Sequence, residues 1–399
     1  MERIIIHIDV NNAFLSWTAL YLLKNGSKYD IRNSYAVVGG DEKSRRGIVL
    51  AKSTPAKKLG IITGETLYSA RKKCKVLKTY PMNYEFYKEM SSKLFELLSK
   101  YTPDIEIASI DECYLDYGKI KHLHGDEKIF AEKLKTEIYD KLGFTVNIGI
   151  ANNKLCAKMA SDFSKPNKIH TLYDNEVETK MYPLYIGDLF GIGKKTVPKL
   201  EKLGIKTIGD LANFDENILV KYFKNMAHSM IESAKGISYD EVIKDKIEAK
   251  GIGNEITLPT DILNKEEAYK HLLYLSNKVG KRLRDEDKYA YTIVVIIKDN
   301  EFKRYSHQKK LVNSINTDKD IYENSKIVFN ELYKNQKIRL IGIRLDKLVT
   351  KNNYQYSLFE EVNDNKDNEQ LNKVVDKIND KYGKKIIKNA GLLNKTIEK

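Results

Sequence analysis

Cysteine is scarce in this chain. Cys74, Cys113 and Cys156 are the only three in 399 residues, and no two form a CxxC pair. That spacing argues against a disulfide framework or a structural zinc site and points to a reducing compartment. Long apolar runs are missing as well. No stretch approaches the roughly 18–20 apolar residues of a membrane-crossing helix. The run opening Met1-Glu2-Arg3-Ile4-Ile5-Ile6 is broken by His7 and Asp9 before it reaches signal-peptide length. A cytoplasmic protein is expected. Acidic residues are outnumbered, 55 against 69 Lys and Arg, for a formal charge of +14. Such a chain expects a polyanionic partner, nucleic acid first and a membrane surface second, unless the excess only reflects a composition rich in Lys, Asn, Ile and Tyr. What is present is globular: 42% hydrophobic, 31% charged, and long enough for two to four domains.

The most informative stretch is Ser109-Ile110-Asp111-Glu112, set between Ile105-Glu106-Ile107-Ala108 and Cys113-Tyr114-Leu115-Asp116-Tyr117. On one continuous strand Asp111 and Glu112 would face opposite ways. They can share a site only if the chain turns beside them, so we expect strand arms over 105–109 and 113–117 joined by a tight turn. A hairpin with a charged solvent-facing tip is an equally simple reading. A second acid, Asp9, ends the apolar run 3–10, which reads as a buried strand. Asn11 and Asn12 can cap the helix that follows, where Phe14, Trp17 and Tyr21 recur at helical spacing up to Asn25-Gly26. An acid there can hold a cation while the N–H groups of Asn11, Asn12, Ala13 and Phe14 take phosphate oxygens, or Asp9 can simply cap the helix.

Residues 31–76 read as a small basic α+β insertion, with apolar runs at Tyr35–Val38 and Ile48–Ala51 and a short helix from Thr54 to Gly60. Helices are expected over 84–101, about 125–141 and from Asn153 to Phe163, with a strand Phe144–Ile150, the last helix stopping at Lys165-Pro166-Asn167. That order is a split βαβ, ferredoxin-like sheet with helices on one face. Gly191 and Gly193 before a helix, with Lys194, and Gly204 after it, form a helix-hairpin-helix pattern whose turn can bind a DNA phosphate through backbone N–H groups. Pro198 should kink its helix. Residues 251–348 read as a further α/β unit: helix about 265–284, strand Tyr291–Ile297, then Phe302–Leu311 with Lys303 and Arg304. A helix near 318–335 and the strand Lys337–Leu345 with Arg339 complete it. The basic strand residues suit a phosphate backbone, or else guard a solvated sheet edge. A polar tail holds Gln355-Tyr356-Ser357-Leu358-Phe359, which looks like a docking peptide, and a last helix over 371–381.

Taken in order, Ile8-Asp9-Val10, Ser109-Ile110-Asp111-Glu112, Lys165-Pro166-Asn167, the helix-hairpin-helix and Gln355–Phe359 resemble the Y-family translesion DNA polymerases, on the bacterial DNA polymerase IV branch. The resemblance spans essentially the whole chain. It implies a palm (1–19 and 77–168), fingers (20–76), a helical thumb (169–238), an α/β little finger (239–350) and a tail (351–399). It further implies that Asp9, Asp111, Glu112 and the carbonyl of Val10 hold two Mg²⁺ ions, with Mn²⁺ as a substitute, and that Lys165 contacts the triphosphate. Phe14 would be the steric gate against ribonucleotides. Thr54 and Lys57 stand where relatives commonly carry Tyr and Arg, keeping a hydroxyl and a cation but losing the guanidinium fork. Primer-template DNA, dNTPs and, through Gln355, Leu358 and Phe359, a sliding clamp are the implied partners of a monomer. The other readings are a UmuC-like subunit of the same family, a DNA-binding protein without turnover, and a diguanylate-cyclase-like enzyme suggested by Gly39-Gly40-Asp41-Glu42.

Overall fold

The computed structural model describes residues 3–41, 47–244, 248–350, 365–383 and 386–392. Two compact units part near residue 246.

In the first unit β1 (Ile5–Val10) is buried along its entire length, as a run of β-branched residues in a central strand should be. The chain leaves it through helix Ala13–Lys24 into a small sheet of β2 (Ala36–Gly39), β3 (Val49–Lys52) and β4 (Lys78–Tyr80), in the order β3-β2-β4. The short helix is there, over Thr54–Lys58, capped by the Ser53 hydroxyl. The strand β4 and the helix Leu67–Lys73 were not expected. The chain returns through helix Tyr84–Leu98 to the hairpin of β5 (Ile105–Ile107) and β6 (Glu112–Asp116), then helix Glu127–Leu142, β7 (Val146–Ala151), helix Lys154–Asp162 and β8 (Ile169–Leu172).

The sheet order is β5-β6-β1-β7-β8. Its first four strands, antiparallel throughout, have the expected ferredoxin-like arrangement; β8 adds a fifth, parallel to β7. Since β8 begins at Ile169, the palm sheet runs past the expected boundary at 168.

Helices cover both faces, not one. Alternation along β1 sends Ile6, Ile8 and Val10 into a core shared with Trp17 and the helices Tyr84–Leu98 and Glu127–Leu142. Ile5 goes the other way, into a core with Ala157 and Ala160 of helix Lys154–Asp162 and the apolar side chains of residues 177–234. His7 and Asp9 share the parity of Ile5, so they lie beneath that second helix.

Close approach of that helix depends on Gly149. A Cβ there would lie 2.0 Å from the Ala157 carbonyl oxygen and 2.6 Å from the Ser161 nitrogen, both backbone atoms. Gly149→Ala is therefore expected to cost about 3 kcal/mol or more, read as a lowered denaturant midpoint with an unchanged slope.

Beyond the palm, Pro198 does not kink its helix. Val197–Glu201 is only five residues long and Pro198 sits in its first turn, where the missing N–H has no partner to lose. Gly204 (φ +85°) ends it, and a second short helix, Ile208–Ala212, follows under a Thr207–Asp210 capping box.

The second unit is one antiparallel sheet in the order β11-β10-β12-β9, made of β9 (Gly251–Ile262), β10 (Tyr289–Asp299), β11 (Arg304–Ile315) and β12 (Ile338–Val349). Helices Lys265–Asp285 and Asp318–Leu332 share its core; Ala268, Leu272, Leu275, Val279 and Leu283 are all fully buried, as their spacing predicts. The sequence pattern does not signal β9, because two glycines and Pro259 look like loop punctuation. It tolerates a proline because Pro259 falls where the register with β12 shifts, between Thr257 and Ile262.

The last helix, Asn365–Tyr382, starts earlier than expected. Polar contacts hold it, beside the half-buried Val375 and Ile378. Arg284, 7% exposed, spans Asp376 (2.7 Å) and Asp318 (2.8 Å), Lys281 reaches Asp380 (3.0 Å), and Val374 stays exposed. Arg284→Met should leave Asp318 and Asp376 without their cation. Limited proteolysis is expected to cut within Asn365–Tyr382 about tenfold faster or more.

Candidate active site

The acids converge because of strand register. Asp9 and Glu112 are cross-strand partners on β1 and β6. The chain does turn between the expected arms. Residues 108–111 form the turn, closed by Ala108 and Ser109 N–H groups donating to the Glu112 carbonyl (3.0 and 3.1 Å), so Asp111 lies before the strand and Glu112 begins it. The Val10 N–H donates to the Asp111 carbonyl at 3.0 Å, fixing the turn beside the end of β1. The carboxylate of Asp111 accepts from the Ser109 hydroxyl at 2.6 Å.

Lys165 donates to Asp9 and lies 2.8 Å from Asp162. Burial works against its charge, but these two acids hold the ammonium above its usual range. Lys158, which sequence pattern does not single out, reaches Glu112 at 3.0 Å, Asp162 at 3.5 Å and Asp9 at 3.7 Å. His7 is fully buried; its Nδ1 is 2.9 Å from the Ser161 hydroxyl and its Nε2 lies 3.6 Å from Glu112, too far for a hydrogen bond. The facing His7 ring, against the opposing effect of burial and with help from Lys158, draws the Glu112 carboxyl down to about 2. Burial lowers the affinity of His7 itself for a proton; the ammonium nearest Glu112 is that of Lys158, at 3.0 Å. Asp111 is pushed up, first by burial and then by the charges of Asp9 and Glu112.

That mutual repulsion, in a donor set made of oxygens, fits a hard divalent cation. Among the described residues no three acidic, His or Cys side chains are drawn together as a ready metal cluster. Asp9 and Glu112 are turned toward lysines and Asp111 toward Ser109.

The capping expectation for the turn after β1 needs correcting, and so does the phosphate role of the Asn11 N–H. Asn12 occupies the N-cap in a left-handed conformation (φ 47°) without a side-chain cap, and Asn11 does not cap either. The Asn11 N–H is taken by the Thr145 carbonyl (2.9 Å). Its side chain accepts from Asn167 N–H (2.8 Å) and donates to Asn147 (3.1 Å), tying the Lys165-Pro166-Asn167 loop to the end of β1. Ala13 is buried. Phe14 is half-buried and stacked on Tyr87, ring centroids 4.8 Å apart and 15° from parallel; Tyr87 is in turn bonded to Thr18 (2.6 Å). Thr54 and Lys57 are on the helix Thr54–Lys58, and among the described residues no hydrogen bond or ion pair links them to the acids. Gly39 closes β2, in a different sheet from Asp9.

Gly191 (φ +93°), Gly193 and Lys194 are all exposed, with open space around both glycines. In the second unit Arg304 pairs with Glu255, Arg339 lies over the Phe302 ring at 4.6 Å, and Lys303 precedes the strand. Register places Lys298, Arg304, Lys310 and Arg344 on one face of that sheet, opposite the parity of core residues Ile293, Val295 and Ile297. Of the neighbours Lys309 and Lys310, only Lys310 shares the face of Arg304. Gln355, Leu358 and Phe359 lie outside the described residues.

Comparison with known proteins agrees with this architecture. Residues 8–162 match the impB/mucB/samB family, 249–358 its C-terminal domain and 174–205 its helix-hairpin-helix motif. The chain is 47% identical over 396 residues to DNA polymerase IV of Clostridium acetobutylicum, covering 99% of both chains. It is 34% identical over 406 residues to DNA polymerase IV of Clostridium kluyveri, covering 99% of this chain and all of that one. A solved Y-family DNA polymerase chimera superposes with a TM-score of 0.76 at 26% identity, covering 87% of this chain and 100% of that one. A sheet with three acids about its strand ends and a lysine in the adjoining loop, in this company, defines a DNA-directed DNA polymerase. Within that class the chain belongs to the Y family, the impB/mucB/samB family, alongside the bacterial DNA polymerase IV proteins.

Proposed function

We propose that this polymerase is a low-processivity enzyme that extends primers from dNTPs, across damaged bases as well as intact ones. The observation that carries the chemistry is the Asp9–Glu112 strand pair with Asp111 in the adjoining turn and Lys165 beside it. Asp9, Asp111, Glu112 and the Val10 carbonyl would hold two Mg²⁺ ions, for which Mn²⁺ can substitute. When bound, such ions lower the pKa of a primer 3′-OH and neutralise charge developing toward pyrophosphate. The protein's own part is positioning and charge, which phosphoryl transfer needs more than a nucleophilic side chain. Lys165 has a third of its side chain exposed and can exchange Asp162 for a triphosphate oxygen. Phe14, backed by Tyr87, would meet a ribose 2′-OH.

Gly191, Gly193 and Lys194 would bind DNA phosphates without reading bases, as would the face bearing Arg304. We assign the Gln355–Phe359 peptide to a sliding clamp, which would offset weak template grip by raising local concentration. We assign the palm, fingers, thumb and little finger to the segments expected above, with the palm extended through β8 and the little finger beginning near residue 247, where the two units part. A cytoplasmic monomer is the form we propose.

Primer extension in Mg²⁺ on undamaged and lesion-bearing templates, with and without clamp, tests all of this. Extension past the lesion, lengthened by clamp, is expected; extension that stops at every lesion would remove the bypass reading.

A further inference from the structure

Two lysines face the acids, and they differ in one respect. Lys165 is partly exposed, whereas Lys158 is 8% exposed on helix Lys154–Asp162, pinned over β1 by the close packing at Gly149. The Lys158 ammonium touches an oxygen of Glu112 (3.0 Å), with Asp162 (3.5 Å) and Asp9 (3.7 Å) around it. Its backbone carbonyl accepts from the Ser161 hydroxyl (2.7 Å), which also meets the buried His7 ring. An incoming triphosphate can draw Lys165 away; Lys158 has no comparable path to solvent.

We propose that Lys158 is a positioning residue, a built-in cation that holds the Asp9 and Glu112 carboxylates in place and sets how tightly the site takes divalent ions. The inference rests on the metal-holding reading above. Asp9 and Glu112 stand on adjacent strands with Asp111 next to them, and like charges this close repel unless something positive lies among them. Lys158 supplies that charge from the helix-covered side. It thereby weakens the net pull on a second cation, so a divalent ion binds and leaves more readily than three bare carboxylates would allow.

The test is Mn²⁺ binding by the full chain, followed by water-proton relaxation without DNA or nucleotide, alongside the Mg²⁺ dependence of primer extension. Lys158→Gln and Lys158→Met are expected to bind Mn²⁺ roughly fivefold tighter, while kcat falls about tenfold because Glu112 loses its tether. Lys158→Arg, which keeps the charge, should stay within about twofold of wild type in Mn²⁺ affinity. Tighter metal with slower turnover is a split that mere loss of packing would not give. Unchanged or weaker Mn²⁺ binding in folded neutral variants would overturn the proposal. So would unfolding of both neutral variants, which would make Lys158 a structural cation. Wild-type Mn²⁺ binding that ignores Asp9→Asn would overturn the metal-holding reading itself, and this inference with it.

Discussion

Replacing Asp111 and Glu112 by alanine together is expected to reduce primer extension by at least about 10³-fold in Mg²⁺, without loss of the fold. The two acids sit at the turn and first residue of β6, held to β1 by backbone bonds that the substitution leaves intact. Full activity in the double variant would sink the assignment of the site. For Asp111 taken alone, stability should move the other way from activity. Burial and two neighbouring charges raise the Asp111 pKa, so its ionised form weakens the fold. A raised carboxyl is penalised when ionised, in full above its folded pKa. The penalty fades as pH falls through that value toward the unfolded one near 4. Asp111→Asn should therefore melt above wild type at neutral pH, with the gap closing toward acid. Melting curves at several pH values in the absence of divalent ions check the sign.

Phe14→Ala is expected to raise incorporation of ribonucleotides relative to deoxynucleotides by roughly 10²-fold or more, while dNTP incorporation stays within about tenfold of wild type. The ring is not loose. It stacks on Tyr87, which Thr18 anchors, so a 2′-OH cannot be accommodated by a small swing of the side chain. Tyr87→Ala removes the backing and should give an intermediate loss of discrimination. Single-nucleotide kinetics with matched rNTP and dNTP pairs measure both. Unaltered discrimination in Phe14→Ala would take the gate away from this residue.

Much of this site is legible in the order of the residues alone. Local rules suffice for β1, the helix after it and the acid hairpin, because each is signalled within about ten residues by apolar period and turn chemistry. The ordered motifs carry the family. The adjacency of Asp111 and Glu112 already requires a turn, and the turn is there.

What local pattern could not supply were features decided by partners far along the chain. Asn11 looks like a helix cap, but Asn147 and Asn167, more than 130 residues away, claim its side chain. Lys158 looks like one more surface lysine on a basic helix. Only the pairing of β1 with both β6 and β7, and the glycine that lets the helix down onto them, encloses it among the acids. The edge strand Gly251–Ile262 and the tail helix have the same lesson, one stabilised by a neighbour's ladder and the other by buried Arg284. The sequence by itself determined the order of this polymerase's elements and which acids and lysines it carries near the ends of its central strands. Tertiary structure decided which charges face one another, because strand register and helix docking, not spacing along the chain, set the distances over which charges act.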